Sequence, residues 1–238
     1  MKTLNKWIHD LPADIGASAM PLDRAPQLAR KARVHIVALG DVGTTMLIGL
    51  LLAGQDVIAS VGMCDINEKN LARLEMEMNQ IRYPFAGQEG CPDPVLPAVT
   101  VVGEEDVFDC DVFIFCASKG LPPVAAGGDV RMAQLEANRS LIAHYDGLAR
   151  QAGFGGQVCI VSDPVDPLCR AFLTESGLHP AQIQGYGLGV MHARACYYAR
   201  KNPRFAHYLT EGRAFGPHGA DLVIADSLED YDDALSRE

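Results

Sequence analysis

With 238 residues the chain is long enough for one large domain or one and a half, and it could bury about 70–75% of the surface its unfolded form exposes. A composition of 48% hydrophobic, 21% charged and 7% aromatic residues, with 23 glycines and 14 prolines, excludes coiled-coil, collagen-like and disordered classes. The formal charge of −10, with no basic patch to offset it, argues against nucleic acid and anionic membrane surfaces as partners.

Seven cysteines, an odd count without a C-x-x-C pair, read as free thiols in a reducing cytoplasm. The histidines do not pair with Cys or carboxylates at zinc-like spacing, so no metal site is expected. The longest apolar run, Met46 to Gly54, is too short to span a bilayer, and the first thirty residues lack the apolar stretch of an export signal. The acidic tail with Glu229, Asp230, Asp232 and Asp233 reads as a solvated end.

Residues 1–32 mix prolines with small and charged residues and read as an arm. Val34 to Leu39 is an apolar run rich in β-branched residues, the pattern of a buried strand, and it stops at Gly40-Asp41-Val42-Gly43. Thr44 to Ala53 reads as a helix stopped at Gly54. Val57 to Cys64 is a second strand, and Asn67 to Arg82 an amphipathic helix with Leu71, Leu74, Met78 and Ile81 on one face. Residues 83–98 carry four prolines and read as an irregular connection. Strands are expected at Ala98 to Val102, Asp111 to Cys116 and Gln157 to Val161, with helices at Arg131 to Ala152 and Asp166 to Ser176. Alternating strands and helices imply an α/β fold, a Rossmann-type doubly wound parallel sheet with right-handed crossovers.

The glycine turn after the first strand carries the first chemical signal. Such a turn lets backbone approach a pyrophosphate and sets a helix N-terminus against its charge. The first glycine of the expected pattern is replaced by Ala38, and Asp41 would bring a carboxylate close to the phosphates unless it turns to solvent. Asp65 stands at the end of the next strand, 22 residues beyond Gly43, where a carboxylate would accept hydrogen bonds from an adenosine ribose. The expectation is a dinucleotide site at Gly40, Asp41, Val42, Gly43 and Asp65.

Five further segments carry a resemblance. Asp111-Val-Phe-Ile-Phe-Cys-Ala-Ser118 is similar to a strand ending in T-A-G, and Arg131-Met-Ala-Gln-Leu-Glu-Ala-Asn138 to R-L-D-L-L-x-x-N. Val161-Ser-Asp-Pro-Val-Asp166 is similar to V-T-N-P-V-D. Ile183-Gln-Gly-Tyr-Gly-Leu-Gly-Val-Met-His-Ala-Arg194 follows V-I-G-x-G-x-x-L-D-S-A-R without a gap, and Gly216-Pro-His-Gly219 is similar to G-E-H-G. In this order and spacing, from about Arg33 to Asp221, the chain resembles the lactate/malate dehydrogenase family.

The resemblance implies NAD as cofactor, with Ala117, Ser118 and Val161 joining the residues that line it, and a small 2-oxo or 2-hydroxy monocarboxylic acid as substrate. It implies His218 as the acid/base group, a role suited to imidazole. Arg194 matches the arginine that grips the substrate carboxylate with two parallel hydrogen bonds, and Arg131 the one brought by a mobile loop to polarise the carbonyl. Ala125 stands where malate-type members carry arginine, which points away from dicarboxylates.

Two positions depart from the pattern. Met191 occupies the place of the aspartate that orients the histidine, and Asp163 that of an asparagine which contacts substrate and cofactor. The expectation is that Asp163 partly substitutes as the partner of His218, raising the histidine's basicity while opposing an anionic substrate.

Three segments are expected: an arm over 1–32, a dinucleotide-binding domain over 33–166, and a reduced or truncated substrate lobe over 167–238, since the chain ends 20 residues after His218. The resemblance also implies a homo-oligomer, a dimer or tetramer. Two functions remain open at this point: a dehydrogenase, or a non-catalytic relative that keeps NAD as a structural or sensing ligand.

Overall fold

The computed structural model describes residues 30–81, 96–119, 130–218 and 221–237. Most of the expected arm, the proline-rich connection and the segment containing Ala125 lie outside the described residues, as does Gly219. Two compact units emerge. One runs from Pro26 to Gly185 and the other includes Tyr186 to Glu238.

The first unit is built on a six-stranded sheet: β1 (Ala32–Val37), β2 (Ile58–Cys64), β3 (Ala98–Val101), β4 (Val112–Phe115), β5 (Gln157–Ile160) and β6 (Ile183–Gly185). Its spatial order is β3-β2-β1-β4-β5-β6 and every pairing is parallel. This is the doubly wound order, in which the direction of winding reverses between β1 and β4. Helices α1 (Asp41–Ala53), α2 (Glu68–Met78), α3 (Val130–Gln151) and α4 (Val165–Ser176) make the crossovers.

Alternate residues of the central strands feed two cores. Val34, Ile36 and Ile114 pack with Leu47 and Leu51 of α1 and Leu71 and Leu74 of α2. Val37, Phe113 and Phe115 pack with Ile142 and Tyr145 of α3 and Leu168 and Phe172 of α4. A strand buried on both faces has no polar side to show, so β1 reads as a continuous apolar run; its one histidine, His35, is buried with Nδ1 2.8 Å from the Val107 carbonyl.

Expected elements and structure agree closely through α4. The N-terminus of α2 is set by an Asx cap, with the Asn67 side chain accepting from the Asn70 N–H as the sequence pattern anticipates. The sheet nevertheless continues past residue 166, where the sequence reading placed the start of the substrate lobe. Three residues, Ile183–Gly185, suffice to pair with β5, and that pairing carries the compact unit to Gly185. So short a strand shows no periodicity of its own.

The second unit contains α5 (Leu188–Ala199), α6 (Tyr208–Glu211), an antiparallel pair β7 (Arg213–Phe215) and β8 (Val223–Ala225), and α7 (Asp233–Arg237). α5 lies against β7, and α7 against β8. Among the described residues no helix is long and apolar enough to cross a membrane.

Candidate functional site

In a parallel sheet ligand sites gather beyond the carboxyl ends of the strands, at the point where winding reverses. That is where the first unit places the expected dinucleotide residues. Gly40 to Gly43 follow β1, Asp65 follows β2, Ala117 and Ser118 follow β4, and Val161 and Asp163 follow β5.

The turn after β1 is shaped by close backbone contact. Ala38 adopts a left-handed conformation with φ +70°. Gly43, in the first turn of α1, is buried against it: a Cβ on Gly43 would stand 2.0 Å from the Ala38 carbonyl oxygen. Gly40 faces open space, so its backbone can be approached. No side chain caps the N-terminus of α1, which leaves first-turn N–H groups directed outward, the arrangement that receives a phosphate. Asp41, in that first turn, is exposed.

Asp65 holds the turn in place. Its Oδ2 accepts from the Leu39 N–H at 2.6 Å and its Oδ1 from the Asn67 N–H at 2.8 Å. The Leu39 carbonyl accepts from Thr44 Oγ1 at 2.9 Å and Asn70 Nδ2 at 3.1 Å. Each carboxylate oxygen retains a second acceptor direction for a ligand hydroxyl. These residues fit a dinucleotide: an approachable glycine turn, an uncapped helix start and a half-buried carboxylate one strand away.

Farther along, β4 and β5 are tied at their ends. Ser162 Oγ donates to the Ala117 carbonyl at 2.8 Å, and the Val161 N–H to the Phe115 carbonyl at 3.0 Å. Fully buried Asn138 of α3 accepts from the Lys119 N–H at 2.9 Å and donates through Nδ2 to the Asp163 carbonyl at 3.1 Å. Asp163 itself is exposed and precedes a cis peptide bond to Pro164. Arg131 falls in the first turn of α3; its side chain lies outside the described residues.

The second unit holds the other expected residues. His218 lies in the connection from β7 to β8, after Gly216, whose φ of +87° sets the turn. The ring rests against Gly187 at the start of α5, where a Cβ would meet His218 Cγ at 2.8 Å and Nδ1 at 2.9 Å. Met191 follows one turn later on the same helix face, its N–H donating to the Gly187 carbonyl at 3.4 Å. Exposed Arg194 reaches back with Nη1 3.9 Å from Met191 Sδ. A cavity of about 650 Å³ in the same unit is lined by Tyr198, Phe205, Tyr208, Ile224, Asp226 and others, and none of the expected site residues lines it.

Comparison with known proteins gives the same direction. The L-lactate dehydrogenase of Mycoplasma pneumoniae is 24% identical over 195 residues, covering 82% of this chain and 58% of that protein. That of Bacillus velezensis is 25% identical over 190 residues, covering 80% and 56%. Over about 80% of its length the chain is similar to these L-lactate dehydrogenases. A lactate dehydrogenase from a Medee basin deep-sea metagenome library shares the fold at a TM-score of 0.64 and 21% identity, covering 82% of this chain and 58% of its own. Malate dehydrogenase from Plasmodium falciparum does so at 0.60 and 16% identity, covering 81% and 56%. No family model matches. The chain spans less than three fifths of the length of these curated relatives.

Sequence reasoning did not single out several residues that hold the strand-end loops together. Asn138 ends a motif singled out above, yet only its two hydrogen bonds show that its amide joins the loops after β4 and β5. Ser162, Asn70 and Thr44 act through backbone carbonyls, contacts that leave no spacing pattern. Among the described residues no group of three or more His, Cys, Asp or Glu stands together as a metal site.

Proposed function

We propose that this chain binds NAD at the turn after β1 and acts as an oxidoreductase on a small 2-oxo or 2-hydroxy monocarboxylic acid. The observation that carries the reading is the Ala38–Gly43 turn, with Asp65 fastened to Leu39 and the helix start beside it left uncapped. The curated relatives, which are L-lactate dehydrogenases, support the choice of chemistry.

When bound, the nicotinamide supplies or receives a hydride. The chain's own residues do the rest. The first-turn N–H groups of α1 offset the pyrophosphate charge, and Asp65 accepts from the ribose hydroxyls, where it would repel a 2′-phosphate and so select NAD over NADP. Arg194 holds the substrate carboxylate by paired N–H donors. His218 gives its proton to the carbonyl oxygen as the oxo acid is reduced and takes one back in the reverse direction. Arg131 polarises that carbonyl. Asp163 is assigned the part of the aspartate that Met191 replaces.

The test pairs calorimetric titration with NAD against NADH oxidation over a panel of 2-oxo monocarboxylic acids. Binding together with turnover of at least one acid is the expected result. Binding without turnover of any acid overturns the enzymatic reading in favour of a structural or sensing role for NAD, and absence of binding overturns both. Asp163→Asn should move the acid limit of the activity; a pH profile identical to that of the unaltered protein removes Asp163 from the mechanism.

A further inference from the structure

The described cysteines fall into two environments. Burial pushes the thiols of Cys110, Cys116 and Cys169 up to about 12, and that of Cys64 upward, so they stay protonated at neutral pH and react slowly. Cys159 is buried in the sheet. Cys196 is half-buried on α5, one turn after His192, with Sγ 3.6 Å from His192 Nε2.

The other nitrogen of the same imidazole is also engaged. His192 Nδ1 lies 3.0 Å from the Tyr208 hydroxyl, with the two rings 5.5 Å apart between centroids. Tyr208 is buried, and desolvation pushes its phenol up to about 12, so it remains a neutral partner that holds the ring without competing for the thiol proton. Two groups act on that phenol through their charge, Cys196 raising it and Arg213 of β7 lowering it. A weak nucleophile beside a base, with the base held by a third group, is the arrangement by which proteins activate thiols.

We propose that Cys196, His192 and Tyr208 form a thiol-activating relay and make Cys196 the site at which this chain is modified by small soft electrophiles. His192 Nε2 takes the thiol proton. The sulfur lone pair then forms the bond to the electrophilic carbon, while the leaving group departs with the electron pair of the bond that breaks. The proton passes from the imidazolium to solvent. The step needs no oxidant, and it is independent of the proposed dehydrogenase chemistry, which uses none of the three residues.

The experiment is a timed reaction of the full chain with iodoacetamide at pH 7, each cysteine being quantified by peptide mass spectrometry. Cys196 should be alkylated at least about tenfold faster than Cys110, Cys116 and Cys169. His192→Gln should slow Cys196 by about tenfold while the rate at Cys169 holds, which separates activation from simple exposure. Tyr208→Phe keeps the ring and removes the oxygen; it should move the pH midpoint of Cys196 alkylation. Equal rates at Cys196 and at Cys110, Cys116 and Cys169 overturn the proposal, as does a natively folded His192→Gln protein with an unchanged Cys196 rate. If His192→Gln does not fold, an unmoved midpoint in Tyr208→Phe overturns it instead.

Discussion

Gly43 stands so close to Ala38 that any Cβ on the glycine would fall within 2.0 Å of the Ala38 carbonyl oxygen. The contact joins the end of β1 to the first turn of α1, and it is made by a residue, Ala38, that is itself held at φ +70°. An L-residue in that region costs about 1–2 kcal/mol, which glycine avoids. Against this, glycine loses about 0.5–1 kcal/mol more backbone entropy on folding. Ala38→Gly should therefore stabilise the protein by roughly 0.5–1 kcal/mol, a rise in Tm of about 2–4 °C for each kcal/mol. Gly43→Ala should lower Tm, since the obstructing atom is backbone and cannot rotate away, and it should weaken the NAD binding proposed above. Thermal denaturation of the two variants checks both signs.

Asn138 makes two hydrogen bonds from a position with no access to water. Asn138→Ala leaves the Lys119 N–H and the Asp163 carbonyl without these partners, at a cost of about 1–3 kcal/mol. Hydrogen exchange should show the Lys119 amide losing protection, whereas amides of β1 keep theirs until global unfolding. Unchanged exchange at Lys119 would show that the clasp does not order the strand ends.

Asp146 of α3 is buried with neither carboxyl oxygen hydrogen-bonded among the described residues, and desolvation pushes its pKa up to about 8, with Glu175 adding to the rise. The folded protein holds this proton more tightly than the unfolded chain, so the stability it retains below the ordinary carboxylate range is lost as pH rises from about 4 through about 8. Buried His35 acts at the other end. Desolvation lowers its pKa, so the unfolded chain binds the proton more readily and stability is lost as pH falls below the usual value of 6.5. Below pH 6.5 the two slopes oppose one another, and above it that of Asp146 acts alone, so Tm should fall as pH rises from about 6.5 to about 8. Asp146→Asn should flatten that decline and uncover the loss below pH 6.5 that His35 causes.

Met191 lies one helical turn from Gly187, the residue on which His218 rests. If the proposed dehydrogenase chemistry holds, Met191→Asp supplies a carboxylate to orient the imidazole and favour its charged form. By analogy with the serine-protease triad, where the orienting carboxylate is worth on the order of 10⁴ in rate, kcat for NADH oxidation should rise tenfold or more. No gain in kcat would show that this helix face no longer serves the histidine.

Much of this architecture was legible from residue pattern because parallel strands buried on both faces and helices buried on one leave strong signals. β1, α1, β2 and α2 fall within a few residues of expectation. β6 and α5 carried no comparable signal. β6 is three residues long, and α5 places exposed Val190, Tyr197 and Tyr198 beside half-buried Met191 and His192, so its apolar face is poorly marked.

The sequence by itself determined the doubly wound sheet, the glycine turn and the carboxylate at the end of β2, because these are local patterns in which spacing along the chain equals position in the fold. Tertiary structure alone decided which residues hold that turn and which side chains share a proton. Asp65 reaches Leu39 across 26 positions, Asn138 reaches Asp163 across 25, and Tyr208 reaches His192 across 16. Such bonds depend on burial and on the direction of single lone pairs, and those exist only once the chain has folded.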